Sequence, residues 1–378
     1  MNSNIQFNLL LVLLCFSILV AKEKSYHIQE FDNFIYKSLN TSKISGIGIA
    51  IFSKDSVLYK KGYGFSDLKK KKRFTTNTIM NIASISKTFI GTSIMYLVEN
   101  KQINLDDDIN TLLPFHIYNP HSPESIITLR ALMSHTSGII DNQEIYLSSY
   151  HYGKDSPIKL GYFLKNYLSK NGDFFSKDNF NSKTIGKEFT YSNIGAGLVA
   201  YIVEIVSGKP FNIFTKEIIF DPLGMSNTFW FLSEMDPTDH AKIYKLDSKK
   251  KILKNIELYG LTTYPDGGLR TSINDLVKYF LYFIRDDTSK DIKIISEEKI
   301  VEMFSPDYFD FYSNFWNIGK TIGHSGGDPG VSTGMFYIKG KDIGYIFFIN
   351  TSDYLNIEQF EKTIIDFGET LKSLNHKK

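Results

Sequence analysis

A serine hydroxyl and a lysine amine three residues apart share one face of a helix. The amine can then help remove the serine proton, provided burial keeps it partly neutral. The chain holds four such S-x-x-K pairs: Ser66/Lys69, Ser84/Lys87, Ser248/Lys251 and Ser296/Lys299. Three lie in charged stretches (DLKKKK, DSKKKI and ISEEKI) and read as solvated surface. Ser84 is different. It sits in Asn81-Ile82-Ala83-Ser84-Ile85-Ser86-Lys87-Thr88-Phe89, at the start of an amphipathic run. A helix start offers free N–H groups and a positive dipole end to a developing anion. On this pattern alone Ser84 reads equally well as a helix N-cap.

Two further patterns bear on the same chemistry. Y-x-N occurs at Tyr191/Asn193, Tyr312/Asn314 and Tyr354/Asn356, and the first two are both Tyr-Ser-Asn. Context favours Tyr191, where a turn-rich stretch ends and a helix begins at Ile194. A tyrosine at such a junction can point into a cleft. The plain alternative is a partly buried aromatic with its hydroxyl satisfied. H-x-G occurs at His151/Gly153 and at His324/Gly326, the latter inside Gly323-His324-Ser325-Gly326-Gly327-Asp328-Pro329-Gly330. Glycines there allow the close backbone approach that a substrate docked along a strand needs. The alternative is a plain hairpin loop. The same stretch matches G-x-S-x-G around Ser325, the nucleophile elbow of another hydrolase class. An elbow needs a helix directly after the serine, and Asp328-Pro329-Gly330 argues against one.

The eight histidines are scattered, with no H-E-x-x-H, P-loop or dinucleotide fingerprint in a strand-to-helix setting, so no metal and no cofactor is expected.

The elements that must position these residues follow from periodicity. Ile44 to Phe52 and Val57 to Tyr63 read as a β-hairpin. Ser86 to Asn100 reads as a helix, with Phe89, Ile90, Ile94, Leu97 and Val98 at helical spacing. A second clear helix runs from Ile194 to Val206, stopped by Gly208 and Pro210. Strands return at Val331 to Ile338 and Ile343 to Asn350. A last helix carries Ile357, Phe360, Ile364, Phe367, Leu371 and Leu374 on one stripe. The expected fold class is α/β (α+β): one antiparallel sheet built from both chain ends, flanked by terminal helices, with a mainly helical region inserted. The sheet part spans 22–82 and 264–378, and the helical part 83–263.

The 378 residues are 42% hydrophobic and 22% charged, enough apolar material for a sizeable core. Forty-three Lys/Arg against 41 Asp/Glu leave a net charge of +2, which weighs against a nucleic-acid partner. One cysteine excludes a disulfide framework within the chain. Leu9 to Ala21 is an uncharged apolar run followed by Lys22-Glu23-Lys24. It is shorter than the about 20 residues of a membrane span and fits a signal peptide, residues 1–21, cleaved near Ala21. Met1 to Asn8 lacks Lys and Arg, which leaves an uncleaved anchor as the second reading. The expected location is periplasmic or secreted, with no stable span after cleavage.

Taken in order, Ser84-x-x-Lys87, Tyr191-Ser192-Asn193 and His324-Ser325-Gly326 resemble the three motifs of the penicillin-binding-protein and serine β-lactamase superfamily, most closely its class C-like branch. The strings Gly62-Tyr63-Gly64-Phe65, Leu132-Met133-Ser134-His135-Thr136-Ser137-Gly138, Asp221-Pro222-Leu223-Gly224-Met225 and Asp266-Gly267-Gly268-Leu269 extend the resemblance over nearly all of the exported chain. The resemblance implies a β-lactamase/transpeptidase-like fold with the active serine between sheet and helical region. It implies Ser84 as the acylated nucleophile, Lys87 as its activator, and Tyr191 sharing proton transfer. Asn193 would meet substrate or orient Lys87, and His324, Ser325 and Gly326 would meet substrate. The backbone N–H groups of Ser84 and Gly327 would form the oxyanion hole. Many β-lactamases begin the third motif with Lys. His324 stands there instead, which points toward peptidases and esterases.

The expected activity is therefore acyl-enzyme hydrolysis of a small amide, D-amino-acid peptide or ester, cell-wall-derived peptides among them. A true β-lactamase and a penicillin-recognising sensor that is acylated without turnover are the alternatives. If His324 contacts substrate, its ordinary titration predicts pH dependence between about 5.5 and 7.5. The sequence leaves the oligomeric state open.

Overall fold

The computed structural model describes residues 3–376 apart from 184, 248, 251, 286–291 and 353–355. Helix α1 (Ser3–Thr41) leads into strands β1 (Gly46–Phe52) and β2 (Val57–Asp67). Helix α2 (Ser86–Glu99) and helix α3 (Asn193–Ser207) belong to the middle of the chain, and α4 is Ile273–Ile284. Strands β3 (Thr321–Asp328), β4 (Val331–Ile338) and β5 (Ile343–Ile349) follow, then α5 (Ile357–His376). The main sheet is antiparallel in the order β3-β4-β5-β1-β2, with short strands at Tyr312–Ser313, Trp316–Asn317 and Lys72–Arg73 extending its edges.

The central runs GIGIAIF and IGYIFFI are apolar without interruption because both faces of the sheet are covered. Ile47, Ile49 and Ile51 of β1 face α1 and α5, in one cluster with Phe31, Ile35, Phe360, Ile364 and Leu371. Ala50 and Phe52 face the opposite way, into the core that holds Phe89, Ile94 and Phe280. That alternation is the two-residue period of a strand. Phe31 stacks on Phe367 at 4.1 Å between ring centroids, so the two terminal helices close over the sheet together. Each such fully buried side chain contributes roughly 1.5–3 kcal/mol.

Residues 83–263 read from sequence as helical and loop-rich, and the structure adds strands there. Ile243–Asp247 and Ile252–Ile256 form a hairpin, and Tyr150–Tyr152 pairs with Tyr259–Leu261. These strands are short and partly exposed, so their alternation is weak. Conversely, α4 and the helix Glu297–Met303 lie within 264–378. Among the described residues, no single helix is long and apolar enough to cross a membrane.

Candidate active site

The chain turns sharply into α2. Ala83 sits at φ +48°, a left-handed conformation that costs a residue with a Cβ on the order of 1 kcal/mol or more. Its N–H donates to Asn81 Oδ1 at 2.6 Å, and its carbonyl accepts Ser86 Oγ at 2.6 Å, which hold the turn. Ser84 occupies the short 3-10 turn Ala83–Ile85. The cap residue of α2 is Ile85, so Ser84 is not the N-cap that the pattern also allowed.

Lys87 lies one turn on and is fully buried. Its Nζ is 3.1 Å from Ser84 Oγ, 2.7 Å from Asn193 Oδ1 and 2.7 Å from the Asp266 carbonyl oxygen. Two of these partners only accept. A neutral amine has two hydrogens, both taken by those oxygens, so its lone pair is left for the serine hydroxyl. The orientation of the Asn193 amide is fixed from behind by Asp141, which accepts Asn193 Nδ2 at 2.9 Å. Asp141 also accepts Ser192 Oγ and the N–H groups of Asn193 and Ile194. One carboxylate thus anchors the start of α3, as its dipole favours. Ser192 caps that helix by accepting Gly195 N–H at 2.9 Å.

Tyr191 stands over the cleft, 37% exposed, with Lys87 Nζ 4.9 Å from its ring centroid and the His135 ring at 4.3 Å. On the sheet side, β3 pairs with its outer neighbour only at Asn317↔Gly323, so residues 324–328 border the cleft. Gly326 is required by contact. A Cβ there would lie 2.3 Å from Ile82 O and 3.1 Å from Ala83 Cβ. That close approach brings Gly327, which is exposed, to the Ser84 turn.

With this geometry in view, the sequence profile of the Beta-lactamase family matches residues 31–365. The chain belongs to the Beta-lactamase family. Penicillin-binding protein 4* of Bacillus subtilis is 26% identical over 335 residues, covering 83% of this chain and 69% of that protein. The octameric penicillin-binding protein homologue from Pyrococcus abyssi superposes with a TM-score of 0.69 at 28% identity, over 86% of this chain and 74% of that one. The D-amino acid amidase from Ochrobactrum anthropi SV3, complexed with L-phenylalanine amide, gives 0.71 at 21% identity, over 93% and 99%. The mixed fold and the hydrolase class expected from the three motifs are those of the family.

The β-lactamase-family cleft corrects one expectation. His324 is buried, with Nδ1 2.5 Å from Ser325 O and Nε2 3.0 Å from the Tyr312 hydroxyl. Both ring nitrogens are already partnered. Burial pushes its pKa down to about 4. His324 therefore stays neutral from pH 5.5 to 7.5 and cannot produce the pH limb expected there. Ser325 is exposed in mid-strand and no helix follows it, so there is no nucleophile elbow.

The other patterns resolve individually. Ser66 is buried rather than solvated, its hydroxyl bonded to Lys72 O and Arg73 O. Ser296 caps a surface helix by accepting Lys299 N–H, and Lys299 pairs with Glu302. His151 bonds Thr262. The pair Ser248/Lys251 and Tyr354 lie outside the described residues. Tyr312, in the second Tyr-Ser-Asn, is buried beside His324 and His135.

Four residues of this site had no assigned role in the sequence. Asp141 had no signal at all. Asp266 and His135 stood inside strings that carried the family resemblance, and Tyr312 stood in a repeated tripeptide. The Asp266 carboxyl accepts the Tyr146 hydroxyl at 3.0 Å on one oxygen. The other oxygen, Oδ2, is buried with no hydrogen-bond partner among the described residues. Size alone would misplace the site. A cavity of about 810 Å³ is lined by Val57, Lys60, Leu223, Lys278 and Arg285 and by none of the site residues. A smaller one of about 340 Å³ is lined by Gly327 and Asp328 but by none of Ser84, Lys87 and Tyr191.

Proposed function

We propose that the protein is an exported serine acyl-hydrolase working through an acyl-enzyme on a small amide, D-amino-acid peptide or ester. The observation that carries this reading is the Lys87 amine, 3.1 Å from Ser84 Oγ and with its other two donor directions held by Asn193 and Asp266. Lys87 Nζ takes the Ser84 proton as Oγ bonds to the substrate carbonyl carbon. The carbonyl π-electrons move to oxygen, which the N–H groups of Ser84 and Gly327 hold; each such donor lowers the barrier by about 3–4 kcal/mol. The proton then passes through Lys87 and Tyr191 to the leaving nitrogen or oxygen as its bond to carbon breaks. Water enters by the reverse sequence and frees the acid.

One observation supports the substrate class. His324, neutral and fully partnered, supplies no cation for a substrate carboxylate at the third motif. That favours simple amides and esters over carboxylate-bearing β-lactams, in line with the likeness to a D-amino acid amidase. A serine-reactive phosphonate should form an adduct on the peptide containing Ser84 and none on that containing Ser325. Mass spectrometry reads this directly, and an adduct on Ser325 alone would overturn the assignment. A panel of ester, D-aminoacyl amide, D-Ala-D-Ala and β-lactam substrates then ranks the chemistries. Acylation without release would instead identify a sensor.

Export rests on the Leu9 to Ala21 run. Amino-terminal sequencing of the native protein should begin near Lys22. Recovery of an intact Met1 terminus would contradict cleavage.

A further inference from the structure

Two imidazoles and a phenol lie in the cleft without a role in the acyl transfer just described. The Ser192 N–H is 3.2 Å from His135 Nδ1, and His135 Nε2 is 3.2 Å from the Tyr312 hydroxyl. That hydroxyl is 3.0 Å from His324 Nε2, and His324 Nδ1 is 2.5 Å from Ser325 O. The two ends fix the direction of the whole series, because a backbone N–H only donates and a carbonyl only accepts. His135 Nδ1 is therefore bare, and its proton is on Nε2, donated to Tyr312. The Tyr312 hydroxyl donates onward to His324 Nε2, and His324 Nδ1–H donates to Ser325 O. Every hydrogen is used once and all three rings are neutral. Burial holds the His135 pKa well below its ordinary value, in keeping with this.

His135 grips the Tyr191 segment at three points. Its carbonyl accepts Thr190 N–H at 2.7 Å, its Nδ1 accepts Ser192 N–H, and its ring packs on Tyr191. It does so from a left-handed backbone, φ +55°, a strain that surrounding contacts must enforce. Its far nitrogen reaches Tyr312, which in turn holds β3. The series thus spans the cleft from the helical side to the sheet.

We propose that Tyr312 is a positioning residue, clamping the Tyr191 segment to the His324 strand through a one-directional series of neutral hydrogen bonds and so fixing Tyr191 against Lys87. The proposal rests on the serine-hydrolase reading for its kinetic consequence, and on geometry alone for its proton positions. Tyr312→Phe keeps the ring and removes the hydroxyl, leaving His135 Nε2–H and His324 Nε2 without their shared partner. With p-nitrophenyl butyrate as probe, the single-turnover acylation rate should fall 10- to 100-fold, while the half-saturating ester concentration changes less than threefold. In the unmodified chain, ¹⁵N-histidine NMR should place the His135 proton on Nε2 and the His324 proton on Nδ1. Assignment comes from the signals lost in His135→Gln and His324→Gln. A His324 proton on Nε2, or Tyr312→Phe acylation within threefold of the unmodified rate, overturns the proposal. Full activity in Ser84→Ala overturns the serine reading instead, and leaves the proton positions as they are.

Discussion

Ser84→Ala should lower kcat by roughly 10⁴-fold or more, since the covalent route itself is lost. Lys87→Met should come close to that loss. It preserves the length of the side chain and removes the amine that bonds Ser84 Oγ. The double variant should lose no more than the worse single variant, because the two residues act as one unit. Stability separates them. Ser84→Ala removes a partly exposed hydroxyl and should leave the melting temperature nearly unchanged. Lys87→Met leaves Asn193 Oδ1 and the Asp266 carbonyl without their donor, and orphaned buried acceptors cost about 1–3 kcal/mol each. Steady-state kinetics and thermal melts on the three variants decide it. A Lys87→Met chain retaining more than a tenth of kcat would remove Lys87 as the base.

Asp266→Asn should stabilise the chain above pH 7 and have little effect at pH 4. Burial raises the Asp266 pKa from 3.8 to about 7. Over that window the unfolded chain releases this proton while the folded chain keeps it, so stability falls as pH rises. The contribution is fully present below about 3.8 and gone above about 7. The slope is about 1.4 kcal/mol per pH unit, on the order of 4 kcal/mol across the window. Asn keeps an oxygen for the Tyr146 hydroxyl and never ionises. Urea midpoints for both chains at pH 4, 6 and 8 give the difference directly. A difference independent of pH would mean that Asp266 does not titrate in this range.

Much of the fold was legible because its signals are local. The runs in β1 and β5 are apolar at every position since both sheet faces are buried, and the stripe on α5 repeats at helical spacing. Ser84 and Lys87 are one turn apart, so their meeting needs only α2 and the turn before it. Tyr191 was chosen over Tyr312 by the helix that begins beside it, again a local cue.

What the sequence by itself determined, then, is the strand and helix runs, the Ser84–Lys87 pair and the order of the three motifs. Tertiary structure alone decided what surrounds that pair. The Asp266 carbonyl reaches Lys87 across 179 residues, Asp141 orients Asn193 across 52, and Tyr312 meets His135 across 177. Periodicity reports which face of an element is buried and carries nothing about which distant polar atoms share that burial. A buried donor or acceptor must be paired, but the partner can come from any segment the fold brings near. For that reason His324, which its residue type marked as a titrating group at the cleft, became a neutral, fully bonded member of the wall once the chain closed around it.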